Sequence, residues 1–448
     1  MRKILLGACS LFLSPLLLGS TSEHPNACNG LGPQRIGVIL ASYPGAPADS
    51  AVPNPAYIKE LFNGVDDQGL PLNFSVTDFY ATVSNGKTTF QSVAIAGPYQ
   101  APVFSIDMSD PNNLYRGLDA WEASLLTLAS KDLDLMNIDR VVFITPEAIN
   151  AANGAAIPMA AGLSAQGICD LDYSGPEGHR TFAHSWIRAA AQYKGVDITT
   201  LESQPGLLSP PQLLAAIRRQ NMLDMAPIAH ELGHTFNLGH ANQIKRPQAG
   251  FPPPDNDEVL PAQDQNLYEV EYGDPFSVMS ANSMQWLNAA HLSLLGWFDP
   301  SEIQTVQANG TFRIYPLETP VETPGKLRAI KIPRAISSPT DPNDPSLANG
   351  EYLWVEYRQS LGIYDTDLNM KYDRNGALVH YTNPKQPMPD NYYPEETILL
   401  NFAPSGPVNP YQTDFTLKTS WKDPHSMVSL QVVQITPQFI DINVEFSQ

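Results

Sequence analysis

The unbroken apolar run from Ile36 to Leu40 and a second from Val141 to Ile144 predict strands buried on both faces. Between them, residues 55–63 and 121–136 carry apolar positions at helical spacing. Asn54 is placed to cap the first helix and Pro55 to open it. Residues 93–106 read as extended, and strands interleaved with helices predict a mixed arrangement in the first part of the chain. Beyond residue 300 the period changes. Residues 311–317, 327–332, 351–359, 377–381, 397–402, 415–419, 428–435 and 439–446 alternate or are β-branched and aromatic. Turn-rich stretches at 337–349 and 383–396 lie among them, which predicts an all-β, sandwich-like second part.

Composition narrows the function classes. The 448 residues are 43% hydrophobic and only 16% charged, which excludes a disordered chain. A formal charge of −20 without a Lys/Arg-rich run argues against nucleic acid or an anionic membrane surface as partner. The 41 prolines and 29 glycines predict modest elements joined by fixed loops. Arg2 and Lys3 precede an apolar stretch from Ile4 to Leu18 and a small polar one after it, so residues 1–22 read as a secretory signal peptide. No later segment is apolar enough to hold the mature chain in a bilayer. Residues 23–35 read as an N-terminal tail.

The chemistry concentrates in His230-Glu231-Leu232-Gly233-His234-Thr235-Phe236-Asn237-Leu238-Gly239-His240. On a helix, His230 and His234 project from one face and can place two imidazole nitrogens on one metal ion. Ile228, Leu232 and Phe236 point the opposite way, toward a core. Glu231 is turned about 100° from the first ligand, where a carboxylate can take a proton from water without ligating the metal. Pro227 must sit in the first turn or kink the helix. The helix must end after Phe236 for His240 to return as a third ligand, and Asn237 is the residue suited to the left-handed turn this needs. Three nitrogens with an open fourth position describe a catalytic zinc site.

HExxHxxNxxH resembles the metzincin metallopeptidases, with Asn237 where their pattern usually has Gly. Their Met-turn has a counterpart in residues 272–280, which include Met279. More narrowly, the chain resembles the gametolysin-like and immune-inhibitor-A-like secreted peptidases. The residues that carry this are Asn288-Ala289-Ala290-His291 followed by Leu295-Gly296-Trp297, then Glu356-Tyr357-Arg358-Gln359 and Leu378-Val379-His380-Tyr381, with 75–87 in the N-terminal part. The resemblance implies an α+β metzincin-like catalytic domain, a mixed sheet with active-site helix and Met-turn, over residues 36–300. An all-β sandwich-like domain over 301–448 completes the expected fold. It also implies a secreted zinc endopeptidase acting on protein or peptide substrates, with His230, His234 and His240 as ligands, Glu231 as general base and Met279 as the floor of the site. Ala281 stands where some metzincins have a further Tyr ligand. The competing reading is a catalytically inert, zinc-containing secreted protein that recognises a surface protein or glycan.

Four further features remain open at the level of sequence. Cys28 and Cys169 suggest a disulfide between tail and body, and a Cys28 thiolate that silences the metal is the alternative. Calcium is a secondary cofactor candidate at Asp365, Asp367 and Asn369 or at residues 255–258, with a solvated acidic turn as the default at both. His184 and His291 are further histidines within possible reach of the metal. Ser185-Trp186-Ile187 is a candidate substrate-pairing edge strand.

Overall fold

The computed structural model describes residues 30–42, 54–64, 74–101, 111–146, 148–150, 156–158, 162–164, 169–189, 210–244, 269–280, 284–319, 325–334, 351–365, 372–382, 396–402 and 415–447. The signal peptide, most of the tail including Cys28, residues 255–258, Ala281, Asp367 and Asn369 lie outside them. The fold is mixed α/β. The chain divides into two compact units, one running to Ala81 and resuming as Thr88–Asn237, the other comprising Thr82–Lys87 and Leu238–Gln448. No helix among the described residues is long and apolar enough to cross a membrane.

In the first unit the elements run β1 (Gly32–Ser42), α1 (Pro55–Asn63), α2 (Val76–Val83), β2 (Thr88–Gln100), α3 (Pro111–Ala129), β3 (Arg140–Pro146), β4 (Ala148–Asn150), β5 (Ala156–Pro158), β6 (Gly162–Ser164), β7 (Leu171–Gly175), β8 (Gly178–Ala189) and α4 (Pro210–Thr235). The sheet order is β2-β1-β3-β8-β6, with β7 also on β8. β2, β1, β3 and β8 are parallel, whereas β6 and β7 run antiparallel to β8. Both predicted apolar runs fall in the centre of this sheet and are buried on both faces, as Val38, Ile39, Val142 and Phe143 show. Ile39, Val141, Phe143, Phe182 and Trp186 join Trp121 and Leu125 of α3 in one core.

Local rules set α1: the Asn54 side chain accepts from Ala56 N at 3.0 Å, Pro55 opens the helix, and Gly64 closes it at φ 64°. The helix expected over 121–136 instead covers 111–129 and gives way to a 3-10 turn at Leu135–Asn137.

The second unit holds β9 (Ala241–Ile244), β10 (Glu269–Val270), α5 (Ala289–Leu294), β11 (Ile303–Thr305), β12 (Gly310–Ile314), β13 (Ala329–Pro333), β14 (Tyr352–Tyr357), β15 (Ala377–Thr382), β16 (Thr397–Leu399), β17 (Ser420–Lys422), β18 (Val428–Ile435) and β19 (Ile440–Phe446). Seven strands order as β10-β9-β16-β15-β14-β13-β11 and four as β12-β19-β18-β17. The two sheets share a core in which Ile332, Leu353, Val355 and Val379 meet Leu430, Ile440, Ile442 and Val444.

Two expectations need correcting here. The contacts do not divide the chain at 300, because β9 pairs parallel with β16 and draws the stretch after Leu238 into the C-terminal sheet. Residues 415–419 make only a single bridge, Ala377 to Leu417, and the strand forms one step later as β17.

Candidate metal centre

The ligand helix is longer than its motif required, and Pro227 lies well inside α4 rather than in its first turn. Proline there removes the N–H that the Leu223 carbonyl would bind, and Leu223 is solvent-exposed, where water can replace it. From Ile228 to Phe236 every residue is buried. The helix stops where expected: Asn237 N donates to His234 O at 2.8 Å, and Asn237 adopts φ 73°. Arg140 on β3 strengthens this end, donating Nη1 to the Thr235 carbonyl at 2.7 Å with its guanidinium 3.9 Å over the Phe236 ring. A cation at a helix C-terminus is favoured by the helix dipole. The Phe236 ring packs against Tyr80, whose hydroxyl donates to Ala229 O at 2.6 Å.

Among the described residues, His230, His234 and His240 form the single group of three or more side chains able to hold a metal, with one ligand atom from each within 4.8 Å of the others. His230 Nε2 and His234 Nε2 stand 3.1 Å apart, the rings nearly perpendicular at 83°. Two nitrogens on one tetrahedral zinc would be separated by about 3.4 Å, given bonds of about 2.0–2.1 Å. The three imidazoles could together hold a metal ion. The three histidines are between 8% and 9% exposed, so they are shielded yet reachable.

Glu231 is buried beside them, and its Oε2 accepts from Ser164 Oγ at 2.8 Å. Burial pushes the Glu231 carboxyl up to about 8, against the opposing pull of the Ser164 hydroxyl. Such a group is poised to exchange a proton near neutral pH.

His240 follows the turn and is fixed by neighbours within the second unit. Its Nδ1 lies 3.1 Å from Glu271 Oε1, which leaves Nε2 for a metal. Tyr272, at φ 60°, packs its ring 4.0 Å from the imidazole. Positive φ is rare for so bulky a residue and occurs where surrounding structure imposes it. Met279 is fully buried and its carbonyl accepts from Ala241 N, the residue after His240, at 2.9 Å. It belongs to the backbone support of the third ligand.

The other candidates separate from this group. His184 lies between Glu122 at 3.2 Å and Asp170 at 3.3 Å, and Trp186 beside it packs into the α3 core. His291 is buried in the first turn of α5, its N–H held by Asn288. Ser185, Trp186 and Ile187 are not on an edge, because β6 pairs with them and is itself last in the sheet order. Asp365 is not in a solvated turn: it is fully buried and both its oxygens accept from Arg358, at 2.9 and 3.0 Å. Both of its oxygens are thus committed to Arg358 in the interior rather than to a solvated calcium loop. Cys169 is disulfide-bonded, and its expected partner Cys28 lies outside the described residues.

Sequence reasoning missed Ser164, Glu271 and Arg140. Only Glu271 carried a signal, its adjacency to the expected Met-turn. No protein-family model matches this sequence, and no curated protein matches it.

Proposed function

We propose that the chain is a secreted, zinc-dependent endopeptidase of metzincin type that hydrolyses peptide bonds in extracellular proteins. The observation that carries this reading is the buried triad His230, His234 and His240 with the carboxylate of Glu231 one residue from the first ligand. A bound zinc ion would acidify a water molecule and polarise the scissile carbonyl. Glu231 takes a proton from the attacking water as the C–O bond forms, then delivers it to the departing amine as the C–N bond breaks. Ser164 holds the base in place through Oε2, and the Glu271 carboxylate lies 3.1 Å from His240 Nδ1. A purely structural metal would need no such base.

Substrate would enter along β6. That strand ends the sheet order among the described residues, carries Ser164, and can accept an extended peptide by strand addition. The test is cleavage of denatured casein by the mature protein, with and without a zinc chelator. Cleavage that chelator abolishes and zinc restores is expected. Binding of zinc without cleavage of any denatured substrate would replace this reading with that of a zinc-bearing binding protein.

A further inference from the structure

His240 is the one ligand outside α4, so something other than helix geometry must fix it. Its own carbonyl accepts from Thr397 N at 3.1 Å. The next residue, Ala241, is gripped on both sides: its N–H donates to Met279 O at 2.9 Å and its carbonyl accepts from Asp274 N at 3.1 Å. Asn242 adds a third tie, accepting from Tyr272 N at 2.9 Å. His240 is thus tied to Thr397 of β16 and, through Ala241 and Asn242, to residues 272–279, a segment that contains no helix or strand of its own.

That segment is held by buried charge. Asp274 Oδ1 accepts from Phe276 N at 2.9 Å, and Oδ2 lies 3.0 Å from His380 Nε2 on β15. The other imidazole nitrogen is 3.9 Å from Glu356 Oε2 on β14. Arg358 donates Nη1 to the Phe276 carbonyl at 3.0 Å, while Glu318, Glu356 and Asp365 surround its guanidinium. All of these ion-pairing side chains are fully buried. Phe276 packs beneath them against Leu378, Leu399 and Phe415.

We propose that the buried Asp274–His380 pair, with Arg358 on the Phe276 carbonyl, is a positioning device for the third metal ligand. It sets the 272–279 segment, and through Ala241 the backbone of His240. His380 and Arg358 are positioning residues that touch neither metal nor substrate. The inference rests on the metal-site reading above but not on turnover.

The test compares zinc dissociation constants, by competition with a chromophoric chelator, and the visible spectra of the cobalt-substituted protein. His380→Leu should weaken zinc binding about 10–100-fold and shift the cobalt spectrum toward that of His240→Ala. His380→Gln, whose amide can still donate to Asp274, should keep the constant within about threefold of the parent. Val444→Ala, a core truncation in the four-stranded sheet, should lower the melting temperature without moving the constant. Should His380→Leu not fold, Asp274→Asn removes the charge that faces His380 while its amide oxygen can still accept from Phe276 N, and should weaken zinc at least about tenfold. A folded His380→Leu or Asp274→Asn with parental zinc affinity and cobalt spectrum would overturn the proposal. Zinc affinity that falls as expected in a protein unable to cleave casein would overturn the hydrolase reading and support the positioning device.

Discussion

Ser164 Oγ donates to Glu231 Oε2 across 2.8 Å, joining the last strand of the first sheet to the carboxylate beside His230. The hydroxyl favours the charged form, so removing it raises a carboxyl already pushed up by burial. A general base works when deprotonated. Ser164→Ala is therefore expected to move the acid limb of the pH–rate profile upward by up to about one unit, with the loss of rate greatest at the acid end. A profile unchanged in position would show that Ser164 does not tune this base.

Asn237 sits at φ 73°, in the left-handed region between α4 and His240. An alanine there lacks a side chain that bonds locally and should destabilise the protein by about 1–2 kcal/mol. Glycine meets no such penalty, so Asn237→Gly should melt within a few degrees of the parent and bind zinc as well. Equal melting of the Ala and Gly variants would contradict a turn governed by backbone conformation.

His380 and Asp274 give the fold a pH signature. Burial opposes the His380 charge, but the Glu356 and Asp274 carboxylates outweigh it and hold its pKa above the ordinary imidazole value. Burial also opposes the Asp274 charge, and the hydrogen bond and charge of His380 overcome that and hold its carboxyl below the usual range. The His380 contribution is complete below about pH 6.5 and is lost as pH rises through its raised value; that of Asp274 is present above about pH 3.9 and lost as pH falls through its lowered one. In metal-free protein, His380→Gln should cost about 2 kcal/mol near pH 5.5, and the difference should shrink as pH rises through the raised His380 value. Melting curves below and above that value measure it, and a difference independent of pH would contradict a charged His380.

What the sequence made legible is what neighbouring residues decide. Asn54, Pro55 and Gly64 bound α1 by short-range capping, and the His-Glu spacing with Asn237 fixes the end of α4. The pairing of β9 with β16 joins residues more than 150 positions apart and left no local trace, so the expected boundary at 300 cut through a sheet. Ser164 and Arg140 reach the ligand helix from strands in the same way. The stretches around Glu356, Arg358 and His380 stood out as family-like. Their common purpose depended on burial, which neither alternation nor composition displays. Asp365 shows the reverse error, an acidic residue that reads as solvent-facing until Arg358 is seen beside it.

The most direct test of the central claim is zinc content and casein cleavage of the mature protein beside its Glu231→Ala variant. The account predicts one zinc per chain in both and cleavage in the parent alone, with the variant slower by at least about 100-fold. Cleavage retained by the variant, or zinc absent from the parent, would contradict it.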